Sequence, residues 1–162
     1  MNTGQTMLTI GAFILLAVVI LRVNNSFLST NTVVQESKFG VLAVSIGSSI
    51  IEEANRKSFD EATDSNSVSN LNQLTTKLGP EHGETYSTFN DFDDFNGYDT
   101  TITNLPSAVF NVKCSVCYVD PSNPDVAVSS PTWNKKISVV VSSPSSTDTM
   151  RLSSIFSYFY FR

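Results

Sequence analysis

Residues 7–23, MLTIGAFILLAVVILRV, are apolar except at Thr9, Gly11 and Arg22. Beyond this run the pattern changes: Phe39, Leu42, Ala43, Ile46, Ile50 and Ala54 recur at steps of three or four, which places them on one face of a helix. No proline precedes Pro80, so nothing breaks the helix until Asn, Ser and Asp accumulate after Ala62. The pattern predicts one helix from residue 5 to about residue 57, roughly 80 Å long at 1.5 Å per residue. The competing arrangement is an apolar helix, a break near Asn24-Asn25-Ser26, and a separate amphipathic helix.

Residues 58–98 show no strong period, and Asp64-Ser65-Asn66-Ser67 and Gly79-Pro80 interrupt them. Three runs rich in β-branched and aromatic residues follow: 108–119 (AVFNVKCSVCYV), 133–142 (WNKKISVVVS) and 151–161 (RLSSIFSYFYF). Asp120-Pro121-Ser122-Asn123-Pro124 and Ser143-Pro144-Ser145-Ser146 separate them, as turn residues do. Consecutive strands on short connections make an antiparallel meander whose apolar face needs a cover. The amphipathic half of the long helix is the one sizeable cover available. The expected organisation is a hydrophobic helix (1–26), its amphipathic continuation (27–57), a connecting region (58–107) and an antiparallel sheet head (108–162), an α+β fold.

A chain of 162 residues has room for one modest core beside the apolar segment. The first twenty-one residues contain no Lys or Arg, and no Ala-x-Ala-like site follows the run; an ordinary secretory signal has both. A helix over residues 7–23 falls near the lower end of the ~17–25 residues that cross a bilayer, with Arg22 placed to reach the headgroups. The net charge is −5 and the largest basic cluster is Lys135-Lys136, which argues against nucleic acid as a partner.

The segment FNDFDDFNGYD offers Asp91, Asp93, Asp94 and Asp99 with Asn90, Asn96 and Gly97. Oxygen ligands on a flexible loop suit Ca²⁺, although the spacing is not that of an EF-hand. The structural alternative has Asp and Asn satisfying backbone N–H groups while Phe92, Phe95 and Tyr98 anchor the loop. No other cofactor is expected. Cys114 and Cys117 form C-x-x-C within a predicted strand, so their side chains point to opposite faces. They are read either as buried thiols or as a disulfide that needs a bulge or a second molecule, and redox chemistry is the least favoured role. Two cysteines and one histidine, His82, are too few for a zinc site, and His82 sits in a surface-loop context. No G-x-S-x-G, phosphate loop or H-E-x-x-H motif is present, and no enzymatic activity is expected. The aromatic FSYFYFR terminus reads as an edge strand or as a core strand under the helix.

The opening Gly4-Gln5-Thr6-Met7-Leu8-Thr9-Ile10, the apolar helix continuing into an amphipathic half, and the closing KKISVVVSSPSSTDTMRLSSIFSYF together resemble the type IV pilin and pseudopilin superfamily. The resemblance spans the whole architecture. It implies a processing site between Gly4 and Gln5, storage in the inner membrane, and assembly machinery that draws subunits into an extracellular helical filament. In that filament the helices of identical copies pack through Met7, Leu8, Ile10, Gly11, Phe13, Ile14, Leu15, Leu16, Ala17, Val18, Val19, Ile20 and Leu21. Pilins have a glutamate at the fifth mature residue; counted from Gln5 that residue is Thr9, and counted from Met1 it is Gln5. A pseudopilin of a type II secretion-like system shares these features. The reading from a different class is a membrane-anchored binding module that never polymerises. Adhesion, motility, DNA uptake and secretion are not separated by these residues.

Overall fold

The computed structural model of the protein describes residues 2–159. Helix α1 spans Thr3–Asn55 and α2 spans Glu61–Asp64. Single 3-10 turns follow at Leu71–Gln73, Tyr86–Thr88 and Asp93–Phe95, and then strands β1 (Asp99–Ile102), β2 (Phe110–Asp120), β3 (Asn123–Val128), β4 (Asn134–Ser142) and β5 (Thr149–Ser157). The chain divides into two compact units, Met1–Lys38 and Phe39–Arg162.

Asn24, Asn25 and Ser26 lie inside α1, so the alternative with a break there does not occur. No glycine or proline stands between Gly11 and Gly40. The hydroxyls of Thr30 and Thr32 bond back to the carbonyls of Ser26 and Leu28, at 2.9 and 3.0 Å, so these polar side chains are satisfied within the helix.

In the second unit the sheet order is β1-β2-β4-β5, and β3 also pairs with β2; every pairing is antiparallel. β1 opposes residues 110–113 of β2 and β3 opposes residues 118–120, so the two share one edge of β2 at opposite ends. Between them Asn96, Gly97 and Tyr98 take the place of a strand. Gly97 N–H donates to Cys114 O (3.2 Å), Cys114 N–H donates to Tyr98 O (2.8 Å), and Val116 N–H donates to Asn96 Oδ1 (2.9 Å). Gly97 has φ +82°, a conformation that glycine adopts without a Cβ clash.

Alternation along β2 and β4 turns Phe110, Val112, Cys114, Val116, Ile137, Val139 and Val141 to one face, where Ala43, Ile50 and Ala54 of α1 and Phe89, Phe92 and Phe95 complete the core. Phe39, Leu42 and Ile46 flank that core, half-buried, as the three-to-four spacing predicts. Gly47 joins the buried stripe of α1. A Cβ added there would lie 2.8 Å from Leu152 Cδ1, so the missing side chain is what lets helix and β5 approach closely.

The sheet has five strands where the sequence pattern predicts three. β1 is short and threonine-rich, and it follows an Asp/Asn segment that reads as loop. β3 begins Asn123-Pro124, which reads as punctuation; proline is tolerated because β3 pairs with β2 alone and edge strands need not donate on both sides. β5 ends at Ser157, and Tyr158 and Phe159 form a turn, short of the predicted end at Phe161, which lies outside the described residues.

Overpacking at the helix–β5 contact should cost stability. Gly47→Val is expected to lower the stability of the detergent-solubilised chain by ~1–3 kcal/mol, while Ser49→Val, on the exposed face of the same helix, stays within ~0.5 kcal/mol. Thermal unfolding followed by circular dichroism reads both. Equal midpoints for the two variants would contradict this packing.

Candidate functional site

The acidic segment is a buried turn, and its hydrophobic residues explain why. Phe92 and Phe95, both fully buried, plug into the core: the Phe92 ring lies 5.2 Å from Phe156 and the Phe95 ring 5.3 Å from Phe89. Their spacing of three commits the intervening Asp93 and Asp94 to the interior as well. The backbone N–H groups of the turn are then satisfied by its own carboxylates. Asp91 Oδ1 accepts from the N–H of Asp93 and Asp94 at 2.8 and 3.2 Å. Asp94 Oδ2 accepts from the N–H of Asn90 and Asp91 at 2.8 and 3.0 Å. A two-bond bridge ties this turn to the end of the helix, with Ser58 N–H donating to Asn90 O and Phe92 N–H to Ser58 O.

Lys135 occupies the inner face of β4, in phase with Ile137, Val139 and Val141, and is fully buried. Its ammonium donates to Asp60 Oδ2 (2.8 Å), to Phe59 O (2.7 Å) and to Asp93 Oδ1, and it lies 4.7 Å from the Phe59 ring centroid, within cation–π range. All three N–H donors of a lysine are thereby used. Asp60 is equally enclosed: it also accepts from Ala62 N–H, Thr75 N–H, the Thr75 hydroxyl and the Tyr118 hydroxyl. The sequence presents Lys135-Lys136 as a small basic cluster, but neighbours in a strand face opposite ways. Lys136 instead bonds Asp125 and Pro124 O.

Burial raises the cost of ionising Asp60, but the charge and hydrogen bond of Lys135 and the backbone donors of Ala62 and Thr75 outweigh it and hold its carboxyl below the usual value. Asp93 ends above the usual value, because burial exceeds what Lys135 offsets. Asp91 is pushed up to about 8, first by burial and then by the neighbouring charges of Asp93 and Asp94.

On the outer side of this turn a second acidic group gathers. Gly83, at φ +94°, closes a turn in which Glu84 N–H donates to Glu81 O at 3.1 Å; this brings the two glutamates side by side. Carboxylate oxygens of Glu61, Glu81 and Asp91 lie within 4.8 Å of one another, and so do those of Glu81, Glu84 and Asp94. Glu81 is raised to about 7 by burial, by its hydrogen bond with Glu84 and by the charge of Asp94. Among the described residues no N–H or O–H donor other than a carboxyl proton reaches the buried Asp91 Oδ2, Asp94 Oδ1, Asp93 Oδ2 and Asn90 Oδ1.

The remaining residues singled out by sequence lie apart from this group. Asp99 opens β1 and forms a solvent-exposed pair with Lys113 at 3.0 Å, because the turn at Gly97 carries the chain onto the sheet edge. Cys114 and Cys117 are free thiols, the first buried and the second half-buried, on opposite faces of a strand whose register with β4 is unbroken there. His82 is exposed. Gly4 and Gln5 lie in the first turn of α1, and Thr9 bonds back to the carbonyls of Gln5 and Thr6. From Met7 to Leu21 the large apolar side chains are exposed, Phe13 at 72%. The involvement of Glu61, Glu81 and Glu84 is not visible in the sequence pattern; the glycine of EHGE, which marks a tight turn, is the one local signal for the last two.

A long N-terminal helix on a small antiparallel sheet defines the class of architecture, one consistent with a pilin-like chain. No family model, no curated protein and no solved structure matches it.

Two expectations follow from this geometry. Lys135→Met strands Asp60 and Asp93 without their cation and is expected to cost ~3–5 kcal/mol, whereas Lys136→Met, at a surface pair, costs at most ~1 kcal/mol; chemical denaturation of the detergent-solubilised chain separates them. For the thiols, the reactive species is the thiolate. Burial, with the nearby charge of Asp99, pushes Cys114 up to about 12, so at pH 8 the native chain should alkylate at Cys117 well before Cys114, with both reacting at once after denaturation. Mass spectrometry of timed iodoacetamide samples gives the order, and Cys114 reacting first would contradict it.

Proposed function

We propose that this chain is a structural subunit of an extracellular type IV pilus-like filament, held in the inner membrane before assembly and built into the filament through its N-terminal helix. The observation that carries this reading is the division of labour along α1. Near its carboxyl end Ala43, Gly47, Ile50 and Ala54 are buried, while residues 7–23 expose their apolar side chains. α1 is long and apolar enough to cross a membrane.

A subunit leaving the bilayer must re-bury this surface, and at ~25 cal/mol per Å² identical neighbouring helices offer a large driving force. A Cβ added at Gly11 meets nothing within 4 Å in the single chain. Gly11, Ala12 and Ala17, spread around the helix, are small positions at which neighbouring helices can approach. Contacts between different patches of identical copies do not close and so generate open helical filaments. Thr9 and Gln5 carry no charge for a neighbour's amino terminus, so apolar packing supplies the subunit contact on this reading. The role is structural and not catalytic, with further copies of the chain, the membrane and an assembly machinery as partners. A pseudopilin role rests on the same features and differs in where the filament ends.

Material sheared from cells that express the chain should contain helical filaments by electron microscopy, and the subunit's amino-terminal mass on the same sample gives the mature start. Ala17→Asp is expected to abolish the filaments while the chain stays membrane-associated. Recovery of the unaltered chain only as a detergent-extracted monomer would overturn the filament reading in favour of an anchored binding module.

A further inference from the structure

Glu61, Glu81, Glu84, Asp91 and Asp94 bring five carboxylates to one side of the buried turn, with Glu81 common to both close groups. Among the described residues no Lys, Arg or His forms an ion pair with any of the five; the nearby cation, Lys135, is held by Asp60 and Asp93. Two of the five are fully buried, and each uses one oxygen to cap backbone N–H groups while the other, Oδ2 of Asp91 and Oδ1 of Asp94, meets no backbone or basic donor among the described residues. Asn90 Oδ1 is likewise buried and unpartnered, its Nδ2 donating to Glu61 Oε2 at 3.0 Å. Buried oxygens without donors are costly, and either protons or a bound cation can relieve that cost.

We propose that this cluster binds Ca²⁺, with Glu81 at its centre, Glu61 and Asp91 on one side, and Glu84 and Asp94 on the other. The donor set is all oxygen, which favours a hard cation over zinc. Its donors come from three separate segments, at residues 61, 81–84 and 90–94, so they can adjust to the irregular six- to eight-fold shell of Ca²⁺ more readily than to the tight octahedron of Mg²⁺. The ligand set differs from the one suggested by the run of aspartates: Asp99 is paired with Lys113 and Asp93 with Lys135, and three glutamates replace them. Bound Ca²⁺ would join the start of α2, the EHGE turn and the Asp91–Asp94 turn. The site belongs to the unit that begins at Phe39, so it stands or falls independently of filament formation.

The test uses the full chain in detergent, stripped with chelator and dialysed. Calorimetric titration with CaCl2 should show saturable binding with a dissociation constant at or below about 1 mM, the range of extracellular calcium modules. Saturating Ca²⁺ should raise the unfolding midpoint by about 5 °C or more, and Mg²⁺ at the same concentration should shift it far less. Glu81→Gln, at the solvent side, should weaken Ca²⁺ binding about tenfold or more while leaving the midpoint in chelator unchanged or higher. Asp94→Asn, which keeps an oxygen to cap Asn90 and Asp91, should do the same to binding. Asp99→Asn should leave binding unaltered. The proposal is overturned if the unaltered chain shows neither saturable binding nor stabilisation, if Mg²⁺ matches Ca²⁺, if Glu81→Gln binds as the unaltered chain does, or if Asp99→Asn abolishes binding.

Discussion

An ammonium group removed from water costs several kcal/mol unless its attraction to partners and its hydrogen bonds repay the loss. Lys135 is fully buried, so the fold around it is constrained to deliver acceptors for all three of its protons. They come from Phe59 and Asp60, just beyond α1, and from Asp93 in the aspartate turn. One side chain from the middle of the sheet therefore fixes two segments of the irregular region that precedes it. Tyr118 on β2 adds a further tie, donating to Asp60 Oδ2 and to Thr75 O at 3.2 and 2.7 Å. Hydrophobic residues in place of Lys135, Asp60 and Asp93 together could fill the same volume at similar stability, but they would not select these partners. The ion network gives a region with little regular structure a defined conformation, which apolar contacts, being non-directional, specify less sharply.

The same logic separates the two ends of α1. Its carboxyl end shows the sheet a stripe of small and medium residues, and Gly47 sits where Leu152 comes closest. Contact at that distance requires the helix surface to be nearly flat. The amino-terminal stretch follows the opposite rule, with large apolar side chains on every side, interrupted by Thr9 and by the small Gly11, Ala12 and Ala17. A helix of that composition meets water poorly and lipid or other apolar helices well.

What was legible in the sequence divides along physical lines. The helix, its buried stripe and the cores of β2, β4 and β5 follow from periodicity, because each is set by which residues must leave water. β1 and β3 were hidden because both are short edge strands, DTTI and NPDVAV, whose pairing is dictated by the free edge of β2 and not by their own hydrophobicity. The inward orientation of Lys135 was in principle readable, since it shares the phase of Ile137, Val139 and Val141 in NKKISVVVS. Charge was the misleading signal: adjacent lysines read as one basic cluster until the alternation is applied to them. The assembly of Glu61, Glu81 and Glu84 with Asp91 and Asp94 is tertiary, joining residues up to 33 positions apart, and no local pattern encodes it.

Asn96 shows how closely the irregular region is fitted to the sheet. Its Oδ1 accepts from Val116 N–H at 2.9 Å and its Nδ2 donates to Leu78 O at 3.0 Å, so one side chain caps an open position on β2 and holds the preceding loop. Together with the backbone bonds of Gly97 and Tyr98 to Cys114, it closes the gap between β1 and β3 that would otherwise leave a strand edge unpaired, a hazard for association. The aspartate turn, two residues earlier, is thereby held between the sheet edge on one side and Lys135 on the other. Its carboxylates cannot swing out to solvent to relieve their mutual repulsion, because the phenylalanines between them are locked in the core. The raised values of Asp91 and Asp93 are thus a consequence of the packing that makes the head rigid.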